Sequence, residues 1–345
     1  MLDIDGSYGT GGGQLVRNAV ALAALTGTAM RIRAIRAKRD KPGLAPQHLT
    51  AVRAVGEICG ARIDGLALRS NEISFDPGPV RGGRFAFDVG TAGSVTLVLQ
   101  ALLPVIIAAR RSFRVQVAGG TDVRAAPPLD YLREVLLPLL VRMGADVRLE
   151  TRRRGYFPRG GGAVEAKAEP GVLQALKLDT PGRLLRIDGL AHIAHLPAHI
   201  AERMRASALG RLGARAVPVA CNTAVLEGEA AVGQGGALVL WAPCEHAVIG
   251  AGCVAERGLR AETLGETVAA ELAADLDAGA AVDMHASDQI LVYLALTSGT
   301  SSFTTRDLTE HARTSMWLIE QFLPVRFAVS RAGALTRISV RPRDQ

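Results

Sequence analysis

A short strand, a glycine- or serine-rich turn and an apolar helix follow one another repeatedly along this chain. The pattern occurs at residues 2–27, 85–109 and 285–299, and each helix carries an early Gln or Ser. A fourth strand-end loop, residues 119–122, leads to a further helix after two prolines. Helices that begin at such turns present free backbone N–H groups to a ligand. Repetition of one unit therefore predicts an α+β fold whose large domain is built from repeated βα units.

Residues 184–279 have a different character from the repeats. Their periodicity predicts the order β-α-β-β-α, which is a compact unit with its own core. The repeat pattern returns near residue 288. We therefore predict an inserted small α+β domain at 184–279 within a large catalytic domain formed by 1–183 and 280–345.

Composition limits the class of protein. The 345 residues suffice for a large domain with an insertion, and hydrophobic residues make up 48% of them. No uncharged apolar run reaches the roughly 18 residues of a membrane helix, and no export signal opens the chain. Four scattered cysteines argue against zinc and disulfides and favour a reducing compartment. We expect a cytoplasmic protein without membrane contact, of uncertain oligomeric state.

The charge is positive and unevenly distributed. The net charge is +7, and residues 31–53 hold seven cations against one acid, Asp40. A second basic cluster lies at residues 152–159. Clustered cations near glycines indicate a polyanionic partner such as nucleic acid or nucleotide, although a solvated basic surface remains the alternative. Aromatic residues are only 4%, which argues against a stacking platform for long single strands.

Two glycine-rich segments and a basic loop could carry phosphate chemistry. Residues 9–14, GTGGGQ, follow a strand and open a helix, so they form either an anion site or only a tight turn. Residues 154–162, RGYFPRGGG, could place a base against a ring and a phosphate against arginines, or could be a plain hairpin. The loop at 36–44 combines arginines and lysines before Pro-Gly, and such cations suit phosphate oxygens.

Seven histidines are present, and the residues alone do not choose among them. His192, His195 and His199 have a spacing that could suggest a metal site, but the acid of HExxH is missing and Pro197 interrupts any single helix. His311 lies near a predicted helix start, just after a strand at 302–305. It could be a structural histidine or a nucleophile.

The quoted segments, taken together and in order, resemble the RNA 3′-terminal phosphate cyclase family over nearly the whole chain. The matching segments are residues 5–17, 36–61, 89–104, 119–128, 154–162, 287–296 and 310–327. The runs RGYFPRGGGAV and KPGL…QHLTAV are the most specific. The family fold is a large domain of repeated βα units with a small inserted domain, which agrees with the boundaries predicted above.

The resemblance implies an ATP-dependent enzyme. A histidine would attack the α-phosphate of ATP, AMP would pass to an RNA 3′-phosphate to give RNA-(3′)pp(5′)A, and the 2′-hydroxyl would close a 2′,3′-cyclic phosphate. The implied partners are ATP, an RNA with a 3′-phosphate end and a divalent cation, Mg²⁺ or Mn²⁺. The need for a 2′-hydroxyl makes the substrate RNA.

The resemblance also implies site residues, position by position. His311 matches the nucleophile. The nucleotide contacts implied by the resemblance and by the glycine-rich turn are Gln100, Asp288, Gln289, His285, Pro128, Gly11, Gly12 and Gly13. The residues expected at the phosphates and the RNA are Arg17, Arg36, Arg39, Lys41, Gln47, Arg154 and Arg159.

Two positions depart from the family pattern. Thr10 stands where many members have a glutamate that could bind metal, so no protein metal ligand is predicted and Mg²⁺ would arrive on ATP. His285 stands where many members have an aromatic residue, which leaves the nucleotide preference open. The main alternative is a non-catalytic relative that binds RNA or assists ribosome assembly, and a sugar-phosphate transferase on a similar fold is a further one. Retention of His311 favours the enzyme.

Overall fold

The computed structural model describes residues 1–213 and 215–343. Residue 214, in the predicted inserted domain, and residues 344–345, at the end of the predicted large domain, lie outside this part. The described chain forms four β-sheets packed with helices, which confirms the α+β prediction. No helix within these ranges has the length and apolar character that crossing a bilayer requires.

The first unit contains two strand–helix pairs followed by a hairpin. Its elements are β1 (Leu2–Asp5), α1 (Gly13–Thr26), β2 (Met30–Arg33), α2 (Pro46–Cys59), β3 (Arg62–Asp64) and β4 (Ile73–Asp76). α1 ends at Gly27, whose φ of +67° lies in the left-handed region and whose N–H donates to the Ala23 carbonyl. Glycine adopts this conformation without the Cβ clash of other residues.

The second unit repeats this arrangement. Its elements are β5 (Gly83–Asp88), α3 (Val95–Ala108), β6 (Phe113–Gly119), α4 (Leu129–Tyr131), a π-helical turn (Leu132–Leu136), α5 (Leu137–Arg142), β7 (Asp146–Gly155) and β8 (Gly162–Glu169). Ser94 caps α3, since its Oγ accepts the Leu97 N–H at 3.2 Å. The helix predicted after the fourth strand-end loop is present as α4.

The third unit opens with β9 (Lys177–Leu178), after which the chain forms a separate sheet with two helices. This inserted part contains β10 (Ile187–Ala194), α6 (His199–Leu212), β11 (Val219–Leu226), a 3₁₀ turn (Gly228–Ala230), β12 (Ala231–Val232), β13 (Gly235–Pro243), β14 (Val248–Val254) and α7 (Ala261–Ala278). The predicted β-α-β-β-α order lacked β11, which pairs in parallel with β10, and β12, which pairs with β7. The inserted part buries a hydrophobic cluster distinct from that of the three units. The boundaries at 184 and 279 stay a prediction.

The chain then completes the third unit. The remaining elements are α8 (Ala286–Gln289), α9 (Leu291–Ala295), β15 (Ser301–Thr305), α10 (Glu310–Phe322), β16 (Val325–Ala332) and β17 (Leu335–Pro342). The repeat predicted at 285–299 folds as two short helices, and the corresponding strand, β9, is separated from them by the inserted part. A strand before His311, predicted at 302–305, is present as β15.

All three units share one strand order. In each sheet the first strand pairs in parallel with the second, the second pairs antiparallel with the fourth, and the fourth pairs antiparallel with the third. Parallel neighbours require a crossover, which the first helix of each unit supplies. α1 contacts α2, α3 and α10, so the helices of the three units meet in one layer. Loops that open these helices therefore converge.

Candidate functional site

A cleft of about 660 Å³ lies where the helices of the three units meet the inserted part. This volume is within the usual range for small-molecule sites. The predicted site residues that line the cleft are Gly12, Gly13, Arg17, Arg36, Arg39, Gln47, Gln100, Pro128, His285, Asp288, Gln289 and His311. Those that do not line it are Gly11, Lys41, Arg154 and Arg159. The structure thus brings together residues that are almost 300 positions apart.

His311 is held at the beginning of α10. Thr309 caps this helix, because its Oγ1 accepts the Ala312 N–H at 3.0 Å. The His311 ring reaches the amide of Gln14 at the start of α1, with Nδ1 and Gln14 Oε1 2.5 Å apart. An amide oxygen can only accept, so Nδ1 carries the proton and Nε2 keeps its lone pair.

Gln14 is itself oriented by two further contacts. Its Nε2 donates to Ser315 Oγ at 2.7 Å and to Asp288 Oδ2 at 3.1 Å. These acceptors fix which end of the amide faces His311. Gln14 was quoted within the glycine-rich motif but was not predicted as a site residue. Its place directly after the glycines, at the start of a helix, is the signal that could have identified it.

The surroundings keep the His311 imidazole neutral. Burial lowers the pKa of His311 below its ordinary 6.5, and the nearby Arg39 and Arg17 lower it further. The arginines disfavour a second positive charge beside them. A neutral imidazole with a free Nε2 is a nucleophile at neutral pH.

A chain of hydrogen bonds crosses the floor of the cleft. Arg17 Nη2 donates to Gln100 Oε1 at 3.0 Å, and Gln100 Nε2 donates to Gln289 Oε1 at 2.9 Å. Gln289 Nε2 in turn donates to the His285 carbonyl at 2.9 Å. The side chains of three units are thereby fixed relative to one another. Their remaining lone pairs and N–H groups can recognise a polar ligand.

Two ionisable side chains lie at these hydrogen bonds, and one of them, Arg17, is buried. Burial lowers the pKa of Arg17 to about 10, and the neighbouring Asp288 partly opposes the shift. Burial also raises the pKa of Asp288 to about 7. Arg17 Nε has no hydrogen-bond partner within residues 1–213 and 215–343. A buried arginine with an unsatisfied donor is suited to an anionic ligand.

Glycines bring the helix start close to the cations. A Cβ on Gly12 would lie 3.2 Å from Arg39 Nη2, and a Cβ on Gly13 would overlap the His48 ring. Arg36 Nη1 donates to the Gly43 carbonyl at 2.7 Å, which holds the basic loop in place. A side chain at position 13 would therefore displace the His48 ring, and one at position 12 would crowd Arg39.

The opposite wall comes partly from the inserted part. β14 contributes Gly252, Cys253 and Val254, which face the loop that contains Pro128. His285 Nε2 lies 2.8 Å from Glu271 Oε1 on α7. The hydrogen bond that His285 donates to Glu271 raises the pKa of His285 to about 9, so this ring is an imidazolium at neutral pH. Sequence reasoning missed Glu271, because nothing in its local sequence marks it.

Arg154 lies outside the cleft, in a buried charge cluster. Its Nη2 donates to both carboxylate oxygens of Asp130 at 2.7 Å, and its Nη1 donates to Asp122 at 3.0 Å. His192 Nε2 lies 3.1 Å from Arg154 Nη1. The arrangement joins β7 to β10 of the inserted part. Its contacts indicate a structural role for Arg154.

The metal-ligating groups of the described chain do not form a clear cation site. The grouping of possible ligands found there, Asp122, Asp130 and His192, surrounds the Arg154 guanidinium, which already supplies the positive charge. His195, from the HxxHxxxH spacing, contacts the Ala231 carbonyl instead. In the cleft, Asp288 accepts from Gln14 and Glu256 pairs with Arg124 at 3.4 Å. These residues do not fit a protein-held divalent cation.

Comparison with known proteins identifies the family. The sequence model of the RNA 3′-terminal phosphate cyclase family matches residues 8–329. Relatives carrying that name include one from Nitrosospira multiformis, 53% identical over 99% of this chain and 97% of the relative. Others come from Hyperthermus butylicus, 44% identical over 94% and 92%, and Archaeoglobus fulgidus, 42% identical over 94% and 96%. Both the match of the family model and the extent of these alignments show that the chain belongs to the RNA 3′-terminal phosphate cyclase family.

Proposed function

We propose that the chain uses ATP to convert an RNA 3′-terminal phosphate to a 2′,3′-cyclic phosphate through a covalent His311–AMP intermediate. The observation that carries the proposal is the contact between His311 Nδ1 and Gln14 Oε1. It leaves Nε2 as the nucleophilic atom at the edge of a cleft large enough for a nucleotide.

In the first step, His311 Nε2 attacks the α-phosphorus of ATP. A P–N bond forms, the bond to the β-phosphate oxygen breaks, and pyrophosphate leaves. The imidazole becomes cationic as it reacts, and Gln14 Oε1 stabilises the Nδ1–H of that cation. Because the carboxamide keeps its orientation through Ser315 and Asp288, little reorganisation is needed.

Three arginines are proposed to bind the phosphates of ATP. Arg17, Arg36 and Arg39 line the same cleft as His311, together with the amide of Gln47. Phosphoryl transfer needs positioning and charge stabilisation above all. The free N–H groups at the start of α1, at Gly12 and Gly13, add further donors.

The base would lie on the opposite side of the cleft. Pro128 and His285 form walls there, and Gln100, Asp288 and Gln289 supply polar groups between the base and the phosphates. We propose these residues as nucleotide contacts. The charged His285 ring, paired with Glu271, can face the acceptor atoms of a purine.

Two later steps complete the proposed reaction. A 3′-phosphate oxygen of RNA attacks the phosphorus of His311–AMP, a P–O bond forms, and the histidine leaves as neutral imidazole. The vicinal 2′-hydroxyl oxygen then attacks the 3′-phosphorus: a second P–O bond closes the ring, the bond from this phosphorus to the AMP phosphate oxygen breaks, the hydroxyl proton passes to solvent, and AMP leaves. A chain without a 2′-hydroxyl cannot complete this step, so the substrate is RNA.

A divalent cation, Mg²⁺ or Mn²⁺, would accompany ATP. The cleft residues do not fit a protein-held cation, and Thr10 offers only a hydroxyl near the glycine-rich turn. The cation would therefore be bound by ATP phosphates, where it offsets their charge. Lys41 and Arg159, which are exposed outside the cleft, are proposed to meet RNA phosphates farther from the 3′ end.

Incubation with α-labelled ATP and Mg²⁺ or Mn²⁺, followed by a denaturing gel, tests the proposal. We expect acid-labile label on the protein, absent from His311→Ala and present in His199→Ala, which changes an exposed histidine of α6. An RNA 3′-phosphate should become resistant to phosphatase. An unlabelled wild-type protein that still binds RNA would instead support the non-catalytic alternative.

A further inference from the structure

A stacked aromatic pair lies beside the loop that opens α1. The rings of Tyr8 and Trp317 are 3.9 Å apart between centroids, with 16° between their planes. Trp317 is partly buried and packs against the main core, whereas Tyr8 is 40% exposed. The Trp317 ring is thus held by the core, and the Tyr8 ring is partly exposed to solvent.

The backbone fixes Tyr8 relative to the cleft. Its N–H donates to the Asp5 carbonyl at 3.2 Å, and its carbonyl accepts the Gly11 N–H at 2.9 Å. The next residue in that turn, Gly12, lines the cleft, and a Cβ placed there would lie 3.8 Å from His311 Cε1. Tyr8 therefore lies one tight turn away from the atoms around the nucleophile.

The same loop contacts both α10 and the basic loop. A Cβ on Gly9 would overlap Thr314 Oγ1, one helical turn after His311. Lys38 Nζ donates to the Gly9 carbonyl at 3.2 Å. Lys38 and Arg39 are exposed, and Arg39 also lines the cleft. An aromatic ring and two cations consequently lie beside the same loop at the cleft.

This combination suits the end of a single nucleic-acid strand. Every base has a π-face, so an exposed ring binds bases without regard to sequence, while neighbouring cations contact the phosphates. Tyrosine already stacked on tryptophan has little side-chain freedom left to lose when a base stacks on it. The charge of the basic loop favours RNA over an uncharged or acidic partner.

We propose that Tyr8, supported by Trp317, is the platform on which a base at the 3′ end of the RNA stacks. The proposal deepens the proposed function and rests on it, since it assigns the site for the RNA substrate. It concerns binding of the base and leaves the chemistry at His311 unchanged. The platform holds one base, so it is compatible with the scarcity of aromatic residues.

Binding of a short RNA with a 3′-phosphate and a terminal 2-aminopurine, measured by fluorescence, tests the platform. We expect quenching on binding to the wild-type chain and weaker quenching with Tyr8→Ala. Loss of one stacked base should raise the Kd by about 5- to 150-fold. Tyr8→Trp and Tyr8→Phe should bind like the wild type. A Kd for Tyr8→Ala within twofold of wild type would overturn the proposal.

Two controls separate this outcome from others. Phe157→Ala removes a 75% exposed ring on a different loop and should leave the Kd unchanged. If Phe157→Ala alone raised the Kd, the base would stack there and our assignment would be wrong. An RNA lacking the terminal base should bind the wild type and Tyr8→Ala with the same Kd, because removal of the base and removal of the ring abolish the same stacking contact.

Self-labelling with ATP in the absence of RNA distinguishes the two proposals. Failure of the wild type to label would count against His311 as nucleophile, while the fluorescence measurement would still decide the platform. Normal labelling of Tyr8→Ala with weakened RNA binding is the expected result. Normal labelling with unchanged RNA binding would remove the platform and keep the proposed function.

Discussion

Replacing Gln14 with leucine removes the group that fixes the proton of His311. Leucine has a comparable volume, but it neither accepts from Nδ1 nor donates to Ser315 and Asp288. The lost hydrogen bond is one to an imidazole that becomes cationic during attack, and such bonds contribute about 1.5–3 kcal/mol. At 1.36 kcal/mol per factor of ten, the rate of self-labelling should fall by about 10- to 150-fold.

The assay is the rate of formation of labelled protein in a single turnover with α-labelled ATP. Asn18→Ala is the matched control, because Asn18 Nδ2 donates to the same Ser315 Oγ at 3.1 Å yet has no hydrogen bond to His311. The control should label within about threefold of wild type, since it loses one neutral hydrogen bond. Gln14→Leu labelling at the wild-type rate would refute our assignment of the tautomer.

Three further predictions concern charge. The self-labelling rate should rise with pH and reach its plateau with a midpoint below 6.5, the ordinary pKa of histidine, because burial and then Arg39 and Arg17 lower the pKa of His311. Arg39→Gln should move this midpoint to higher pH. An unmoved midpoint would exclude Arg39 as a cause of the lowered pKa. Arg154→Met should lower the free energy of unfolding, measured in urea, by about 3–5 kcal/mol, because it leaves the buried Asp122 and Asp130 without their cation. The control, Arg159→Met on the surface, should change this free energy by less than about 0.5 kcal/mol. Glu271→Gln should lower Tm at about pH 6 but not at about pH 10. The pair of Glu271 with the His285 imidazolium, whose pKa is raised to about 9, stabilises the folded state fully below pH 6.5, and this stabilisation is lost as the pH rises through 9. An equal fall in Tm at both pH values would contradict an origin in this ion pair.

The repeated architecture could be predicted because glycine-rich turns and apolar helices leave a strong local signal. β11 was missed since it is an edge strand with mixed polarity, including Asn222 and Thr223. The third unit was only partly recognised, because its first strand, β9, has two residues and its helices follow more than a hundred residues later. Local periodicity cannot join elements across an insertion of that length.

The residues of the candidate site, too, were only partly predictable from the sequence. His311, Gln100, Asp288 and Gln289 were assigned through family resemblance and now lie around one cleft. Arg154 was expected near the substrate, but a sequence does not show that its charge is already matched by acids more than twenty positions earlier. Glu271 became visible only when the fold placed it beside His285, whereas Gln14, which the structure places beside His311, could have been identified from its position directly after the glycines.

The most direct test of the central claim is to locate the AMP group on the protein. The chain is incubated with ATP and Mg²⁺ without RNA, digested at neutral or alkaline pH, and analysed by mass spectrometry of the peptides. We predict one AMP per chain, on the peptide containing His311 and linked through Nε2, and its transfer to RNA bearing a 3′-phosphate on addition of that RNA. AMP on any other residue, or cyclisation of RNA by His311→Ala at the wild-type rate, would contradict the account.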